Sequence, residues 1–415
     1  MLDHKQVSAF IAAKRRARGL TQQQVAEKLH ISFQAVSKWE SGASCPNTEL
    51  LLELAQLLEV SVDELLRGRD ADEAGLTYSK AGVDILYTDA IKSDMAGLMD
   101  TDNPRVLNKL GAFAALYDIS FPDIEDPVLV LKAEEPGSKQ KLAMEYGYTE
   151  SICHDMINHL VNDIIVMGAT PLAVLDTIIC GSAEKETIKC LIKGISDACR
   201  ENECVLVGGE TSVQPNVVDK GTYILTSSIA GIVERKAVID GSGIREGDII
   251  LAVASNGVHT NGYSLIRLLM EELPHIKNET VGGEGFLDAI MKPHAPYYAS
   301  IKRLVSDKLL DGMAHITGGG IEGNVKRIMP DGLCAEIDLA KIRVLPLFQY
   351  IQSNGNISES EMLGTFNCGV GLVLIVSEHN ADAVIKHVSP YYDCYAIGVV
   401  RKGSPKVKLH HHMNW

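Results

Sequence analysis

The stretch LTQQQVAEKLHISFQAVSKWESG, residues 20–42, decides how the N-terminal part of the chain folds. Thr21 is placed to cap a helix whose buried face is Val25, Ala26 and Leu29, and His30-Ile31 makes a tight turn. Ser32 then caps a second helix that carries Ala35, Val36 and Trp39 inward, and Gly42 closes it. Working outward, Val7, Phe10 and Ile11 share one face of an earlier helix that Gly19 ends. Pro46-Asn47 opens a fourth helix with Leu51, Leu54 and Leu58, and Ser61 caps a last one ending at Leu65-Leu66. Residues 4–66 therefore read as a small all-α bundle. A helix, a short turn and a second helix with Gln, Ser and Lys on its open face is the geometry that lays a recognition helix in the major groove. By position, Gln22 would bond a phosphate while Phe33, Gln34, Ser37 and Lys38 face base edges; the plainer alternative is that these residues only solvate the bundle. Of the basic cluster Lys14, Arg15 and Arg18, one is placed to pair with Glu40, and the others are as well solvated as phosphate-bound.

At 415 residues the chain is long enough for two or three domains. Its net charge of −15 excludes a general polyanion binder, so any DNA contact is local to the first seventy residues, where acids and bases balance. No charge-free run of membrane-spanning length occurs and the N-terminus is mixed polar, which points to a cytoplasmic protein with no membrane partner. Nine cysteines without a CxxC pair suggest neither a disulfide framework nor a zinc site, and read as reduced, mostly buried thiols. The organisation expected is a helical domain at 1–67, a short polar linker at 68–75, a first subdomain at 76–235, a second at 236–405, and a tail at 406–415, in which Leu409–Trp415 is a disordered end, with metal binding through its histidines the lesser reading.

From residue 76 onward, β-branched runs at 127–132, 221–226, 248–253 and 371–376 alternate with helical windows, which means a layered α/β or α+β architecture. Asp155 and Asp163 fall on a helix expected from about Ser151 to Met167, among apolar Ile157, Leu160, Val161 and Ile164, and both carboxylates are expected on roughly one face. Gly208-Gly209 and Gly318-Gly319-Gly320 read as turns whose amides approach phosphate oxygens, with Glu210 and Thr211 beside the first pair. Asp176 falls at a strand end.

The stretch at 20–42 resembles the phage-repressor (Cro/XRE) helix-turn-helix family over its whole length, including Trp39-Glu40-Ser41-Gly42. The segments at 81–85, 160–163, 206–211, 258–265, 315–320 and 365–371 resemble, in order, those of AIR synthetase, the phosphoribosylformylglycinamidine cyclo-ligase; the resemblance covers residues 78 to about 402. It implies two α/β subdomains, the first forming a homodimer through its strands. It also implies phosphoryl transfer from ATP to formylglycinamidine ribonucleotide, followed by closure to aminoimidazole ribonucleotide. The matching metal positions are Glu134, Asp155 and Asp163 for Mg2+; Asp176 matches a further family acid, and Lys139 with the glycine segments matches the nucleotide and substrate side. His259 and Asn261, with Asp163, match the catalytic positions, while Cys368 is read as packing.

Two segments depart from the family. Its phosphate loop reads Gly-Thr-Asp-Gly-Val-Gly-Thr-Lys, whereas residues 133–139 here read Ala-Glu-Glu-Pro-Gly-Ser-Lys, adding a charge at Glu135 and losing an amide donor at Pro136. Residues 108–115 replace a family stretch much richer in glycine. Phosphate binding is therefore expected to be weaker or rearranged. Two functions remain open: a working cyclo-ligase with a DNA-binding head, or a regulator that senses a purine intermediate or nucleotide and binds an inverted-repeat operator as a dimer.

Overall fold

The computed structural model describes residues 3–70, 81–82, 87, 90–91, 94, 98–99, 102–108 and 112–415. Most of the linker expected at 68–75, and parts of the segments at 81–85 and 108–115, lie outside the described residues. The chain divides into two compact units, Met1–Val83 and Asp84–Trp415.

The described residues of the first unit form five helices: α1 (His4–Ala17), α2 (Gln22–Lys28), α3 (Phe33–Glu40), α4 (Thr48–Leu58) and α5 (Val62–Arg67). Each begins at a residue whose side chain accepts from the first-turn amides: Asp3, Thr21, Ser32, Asn47 and Ser61. Thr21 with Gln24 and Ser61 with Glu64 complete reciprocal capping boxes. The apolar face of every helix meets one core of Val7, Ile11, Val25, Leu29, Val36, Trp39, Leu54, Leu58 and Leu65.

In the second unit a four-stranded sheet comes first. It is built from β1 (Pro127–Glu134), β2 (Thr170–Cys180), β3 (Val205–Val213) and β4 (Tyr223–Glu234) in the order β1-β4-β2-β3. β2 and β3 are parallel, and the helix Lys185–Glu201 makes the crossover such a pair requires. That helix and the helix Thr149–Ile165 cover one face, where Val174, Ile178, Leu225 and Ile229 pack.

The remaining strands are β5 (Ile249–Ala254), the short pair β6 (Thr280–Val281) and β7 (Glu284–Gly285), β8 (Gly312–His315), β9 (Leu333–Asp338), β10 (Val370–Val376), β11 (Cys394–Lys402) and β12 (Val407–His410). Apart from β6 and β7 they form a six-stranded sheet ordered β12-β9-β11-β5-β10-β8. β10 is buried at every position, as expected of a strand covered on both faces. No helix among the described residues is long and apolar enough to cross a membrane. All nine cysteines are free thiols, seven of them buried.

Three expectations change here. The C-terminal tail is ordered: β12 pairs parallel with β9, Met413 is buried, and Trp415 donates its indole N–H to Glu359 at 3.0 Å. Alternation at Lys406-Val407-Lys408-Leu409 is the strand signal that its three histidines obscure. Asp176 lies in the middle of β2, not at its end. Gly208 and Gly209 are strand residues paired with Leu175 and Asp176, so the glycine pair is no turn.

Candidate functional site

The helix Thr149–Ile165 organises the second unit because two of its faces carry different chemistry. On one, Ser151, Asp155, Asn158 and Asn162 follow helical spacing and bond the backbone of the loop 291–297. Ser151 donates to Met291 O at 2.6 Å, Asn158 to His294 O at 2.6 Å and Asn162 to Ala295 O at 2.9 Å; Asp155 accepts from His294 N at 2.8 Å. The buried Lys139 Nζ lies 2.7 Å from Asp155 Oδ2 and donates to Lys292 O at 2.6 Å. Burial pushes Asp155 up to about 6 and Lys139 down from its ordinary value, and their mutual attraction opposes both shifts.

Asp163 belongs to the other face. Eight residues at about 100° each leave it roughly 80° around the helix from Asp155, so the two acids do not converge on one cation. Its Oδ1 accepts from His315 Nδ1 at 2.7 Å, and its Oδ2 lies 2.9 Å from Lys132 Nζ. The same ammonium is 3.0 Å from Glu134 Oε2, so Lys132 bridges the carboxylates of β1 and the helix. Burial alone would raise the Asp163 pKa, but the bonds from His315 and Lys132 hold it well below the usual carboxylate range. His159, one turn before Asp163, has Nε2 at 3.7 Å from Asp163 and 3.8 Å from Glu134, and burial with the repulsion of His315 lowers it to about 4.

His259 and Asn261 sit on the loop after β5. Asn367 fixes that loop by donating to Gly257 O at 2.9 Å and accepting from Ser255 Oγ at 2.8 Å. Gly371 admits the His259 ring: a Cβ there would stand 3.0 Å from His259 Cε1 and 1.8 Å from the Tyr297 hydroxyl. Thus the segments around residues 258–265 and 365–371 pack on each other, and Asn261 lies against Gly318 of the third. His259 is buried, with Nε2 bonded to Asn256 Oδ1 at 3.0 Å and its ring stacked on His294 at 3.9 Å. Cys368 is fully buried, in keeping with a packing role.

The Gly208–Thr211 segment is elsewhere. It lies on β3, separated from β1 by two strands, about 14 Å at ordinary strand spacing. Gly209 makes room for Asp176, whose Oδ1 would lie 1.9 Å from a Cβ at that position. Burial, and then the charge of Glu210, push Asp176 up to about 7 from 3.8. A carboxyl raised in the folded chain stabilises it fully below pH 3.8, and that contribution is lost as pH rises toward 7. Asp176→Asn should therefore gain thermal stability over the parent at pH 8 and not at pH 4; equal midpoints for both chains at pH 8 would remove the basis for this reading.

In the helical unit Phe33, Gln34 and Lys38 are exposed along α3 and Ser37 is half-buried beside them. Gln22 donates to Glu40 Oε2 at 2.8 Å, and Arg15 holds the same carboxylate at 2.5 and 2.9 Å. This ties α1, α2 and α3 together behind the exposed row. Lys14 pairs with Asp70 and Arg18 with Glu59, so the basic cluster is largely met within the unit.

Sequence reasoning missed Lys132, His159, His294 and His315, the last of which opens a segment that was singled out without its imidazole being given a role. The i,i+4 spacing of His159 and Asp163, and the shared strand face of Lys132 and Glu134, were available signals; His294 carries none, because a distant loop brings it in.

A capped helical bundle with an open recognition helix, joined to a two-sheet α/β unit that gathers two carboxylates, a lysine and several imidazoles around one helix, defines a DNA-binding-type head on an enzyme-type body. The chain matches the helix-turn-helix family over residues 11–65, and the N-terminal and C-terminal domains of AIR synthase related proteins over residues 114–233 and 245–410. It is 39% identical over 315 residues to the phosphoribosylformylglycinamidine cyclo-ligase of Methylobacillus flagellatus, covering 76% of this chain and 91% of that one. To the enzyme of the same name from Cupriavidus metallidurans it is 38% identical over 334 residues, covering 80% and 95%. The chain belongs to the AIR synthase related family, with a helix-turn-helix domain at its N-terminus. Among solved structures the fold is shared with E. coli HypE, a hydrogenase maturation protein, at TM-score 0.56 and 18% identity, covering 78% of this chain and 93% of that one. The thiamine-monophosphate kinase of Stenotrophomonas maltophilia aligns at TM-score 0.57 and 17% identity, covering 80% and 98%.

Proposed function

We propose that the second unit is an ATP-dependent cyclo-ligase converting formylglycinamidine ribonucleotide to aminoimidazole ribonucleotide, and that the first unit ties it to a DNA operator. The observation that carries this reading is the similarity to named cyclo-ligases over nine-tenths of their length. A HypE structure in the same fold class was solved in complex with ATP, at TM-score 0.53. Glu134 and Asp163 offer the hard oxygens that Mg2+ requires; Asp155, closed off by Lys139, does not fit that role. Bound there, the ion would neutralise triphosphate charge. In this reading Asp163 is held ionised by His315, Asn261 stands on the substrate side with the buried His259 behind it, and Gly318–Gly320 open the helix Gly320–Ile328 without a side-chain cap, leaving the Ile321 and Glu322 amides for a phosphate. Lys139 acts from beneath, by fixing the loop 291–297 through Lys292. The test is ADP release that depends on the ribotide in the presence of Mg-ATP.

One observation favours a sensing role instead. Lys132 already bridges Glu134 and Asp163, so the carboxylates carry an internal counter-charge on the side where the sequence departs from the family. In that case ligand binding alters DNA affinity without turnover.

Homodimerisation is part of either reading. The outer face of the four-stranded sheet presents Leu129, Leu131, Leu175 and Ile224, with Leu131 exposed to 70%. Register supports a shared face, since Leu131 pairs with Ala230 and Leu175 with Ser228. Leu131→Glu should convert a dimer to a monomer in sedimentation at micromolar concentration; a monomeric parent chain would refute the proposal. A two-fold dimer suits an inverted-repeat operator, with half-sites about one helical turn apart. Gln34→Ala should cost about 1–3 kcal/mol of operator affinity and relax specificity at one base pair. Binding-site selection that returns the same operator for both chains would contradict that assignment.

A further inference from the structure

Four imidazoles meet where the loop 291–297, the loop after β5, the end of β8 and the helix Thr149–Ile165 converge. Ring centroids lie 3.9 Å apart for His259 and His294, 4.9 Å for His294 and His315, and 5.2 Å for His159 and His315. All four rings are buried. One nitrogen from each of His259, His294 and His315 falls within 4.8 Å of the others. The hydrogen bonds determine which nitrogens carry lone pairs. His259 gives its Nε2 hydrogen to Asn256 Oδ1, leaving Nδ1 as an acceptor, and that atom is buried without a partner. His315 gives its Nδ1 hydrogen to Asp163, leaving Nε2 as an acceptor, 2.8 Å from His294 Nε2. If His294 donates across that contact, its own buried Nδ1 is orphaned, as the hydrogen bonding shows; if it does not, two lone pairs face each other. A buried nitrogen without a hydrogen-bond partner is destabilising, and this nest holds two.

We propose that His259, His294 and His315 bind a borderline divalent transition-metal ion of the Zn2+ class, distinct from Mg2+ on the neighbouring carboxylates. Three neutral imidazoles suit such an ion and not Mg2+, which demands oxygen. Asp163 behind His315 supplies the carboxylate–imidazole pairing that fixes a ligating ring and raises its basicity. Burial and mutual repulsion keep His259 and His294 far below their ordinary pKa, hence in the neutral ligand form. Nitrogen ligands about 2.0–2.1 Å from a tetrahedral ion stand about 3.4 Å apart, so the His294 and His315 Nε2 atoms, at 2.8 Å, move apart by about half an ångström while His259 closes on them from within 4.8 Å. A cavity of about 460 Å³ lined by Glu150, His154, Glu201, Asn256 and His294 reaches the nest from outside, and its acids favour entry of a cation. Three protein ligands leave a fourth position open.

The proposal is independent of cyclo-ligase activity, and its readout is spectroscopic. Co2+ is titrated into the full chain carrying His410→Asn, His411→Asn and His412→Asn, which removes all three imidazoles of the C-terminal run as competing ligands. The expected result is one equivalent with the intense visible bands of four-coordinate Co2+, displaced by Zn2+ and undiminished by excess Mg2+. His294→Asn and, separately, His259→Asn should weaken binding by more than the about 10- to 100-fold that loss of an outer partner costs. His159→Gln should leave the bands in place. Only the weak bands of six-coordinate Co2+, or an undiminished signal in a folded His294 or His259 variant, would overturn the assignment. Should both variants fail to fold, the spectrum of the tail-substituted chain alone decides it.

Discussion

Replacing Asp155 by alanine should destabilise the second unit by about 3–5 kcal/mol, because it leaves the Lys139 ammonium buried without its partner. The double replacement Lys139→Met with Asp155→Leu should restore much of that loss, since two well-packed apolar side chains avoid the desolvation of both charges. Chemical denaturation of the three chains measures this directly. The prediction separates two roles for one residue. A carboxylate that chiefly holds a metal would cost activity on substitution and little stability; Asp155, bonded to the backbone of His294 and paired with Lys139, should cost stability first. An Asp155→Ala chain as stable as the parent but inactive would return Asp155 to the metal site.

Asp163→Asn should lower ribotide-dependent ATP turnover by about 10²–10³-fold, the loss typical of removing one preorganised electrostatic group. The amide keeps the size of the side chain but not the charge that Lys132 and His315 are arranged around. Its pKa lies well below the usual range, so the carboxylate is ionised throughout the working pH range and the substitution removes a full charge. Steady-state kinetics at saturating ATP read the effect as a fall in kcat; unchanged kcat would exclude Asp163 from the chemistry.

The helical unit was legible nearly residue by residue, because each helix starts at a residue that caps it and the apolar spacing names its buried face. Four strands of the second unit, β1, β4, β5 and β10, were legible from β-branched runs, with ends shifted by one or two residues except at β4, which runs on to Glu234, well past the expected end at 226. What sequence could not supply was convergence. His294 enters the nest only because Asn158 and Asn162 bond the loop that carries it, a pairing of positions more than 130 residues apart. The separation of Asp155 from Asp163 was in principle readable, since eight helical positions do not return to one face. Gly208-Gly209 looked like a turn because a glycine pair usually is one; here the missing Cβ of Gly209 lets a strand pass beside the Asp176 carboxyl. The tail was misjudged because its histidines drew attention from the alternation that makes β12 an edge strand.

The central claim, that the site at Glu134 and Asp163 performs chemistry on a ribotide, is tested most directly by one assay. The full chain is incubated with formylglycinamidine ribonucleotide and Mg-ATP, and ADP and aminoimidazole ribonucleotide are quantified together. The account predicts equal amounts of both, with no ADP above background when the ribotide is omitted. Absence of both products, with operator affinity that shifts on adding the ribotide or ATP, would contradict it and leave a sensor in place of an enzyme.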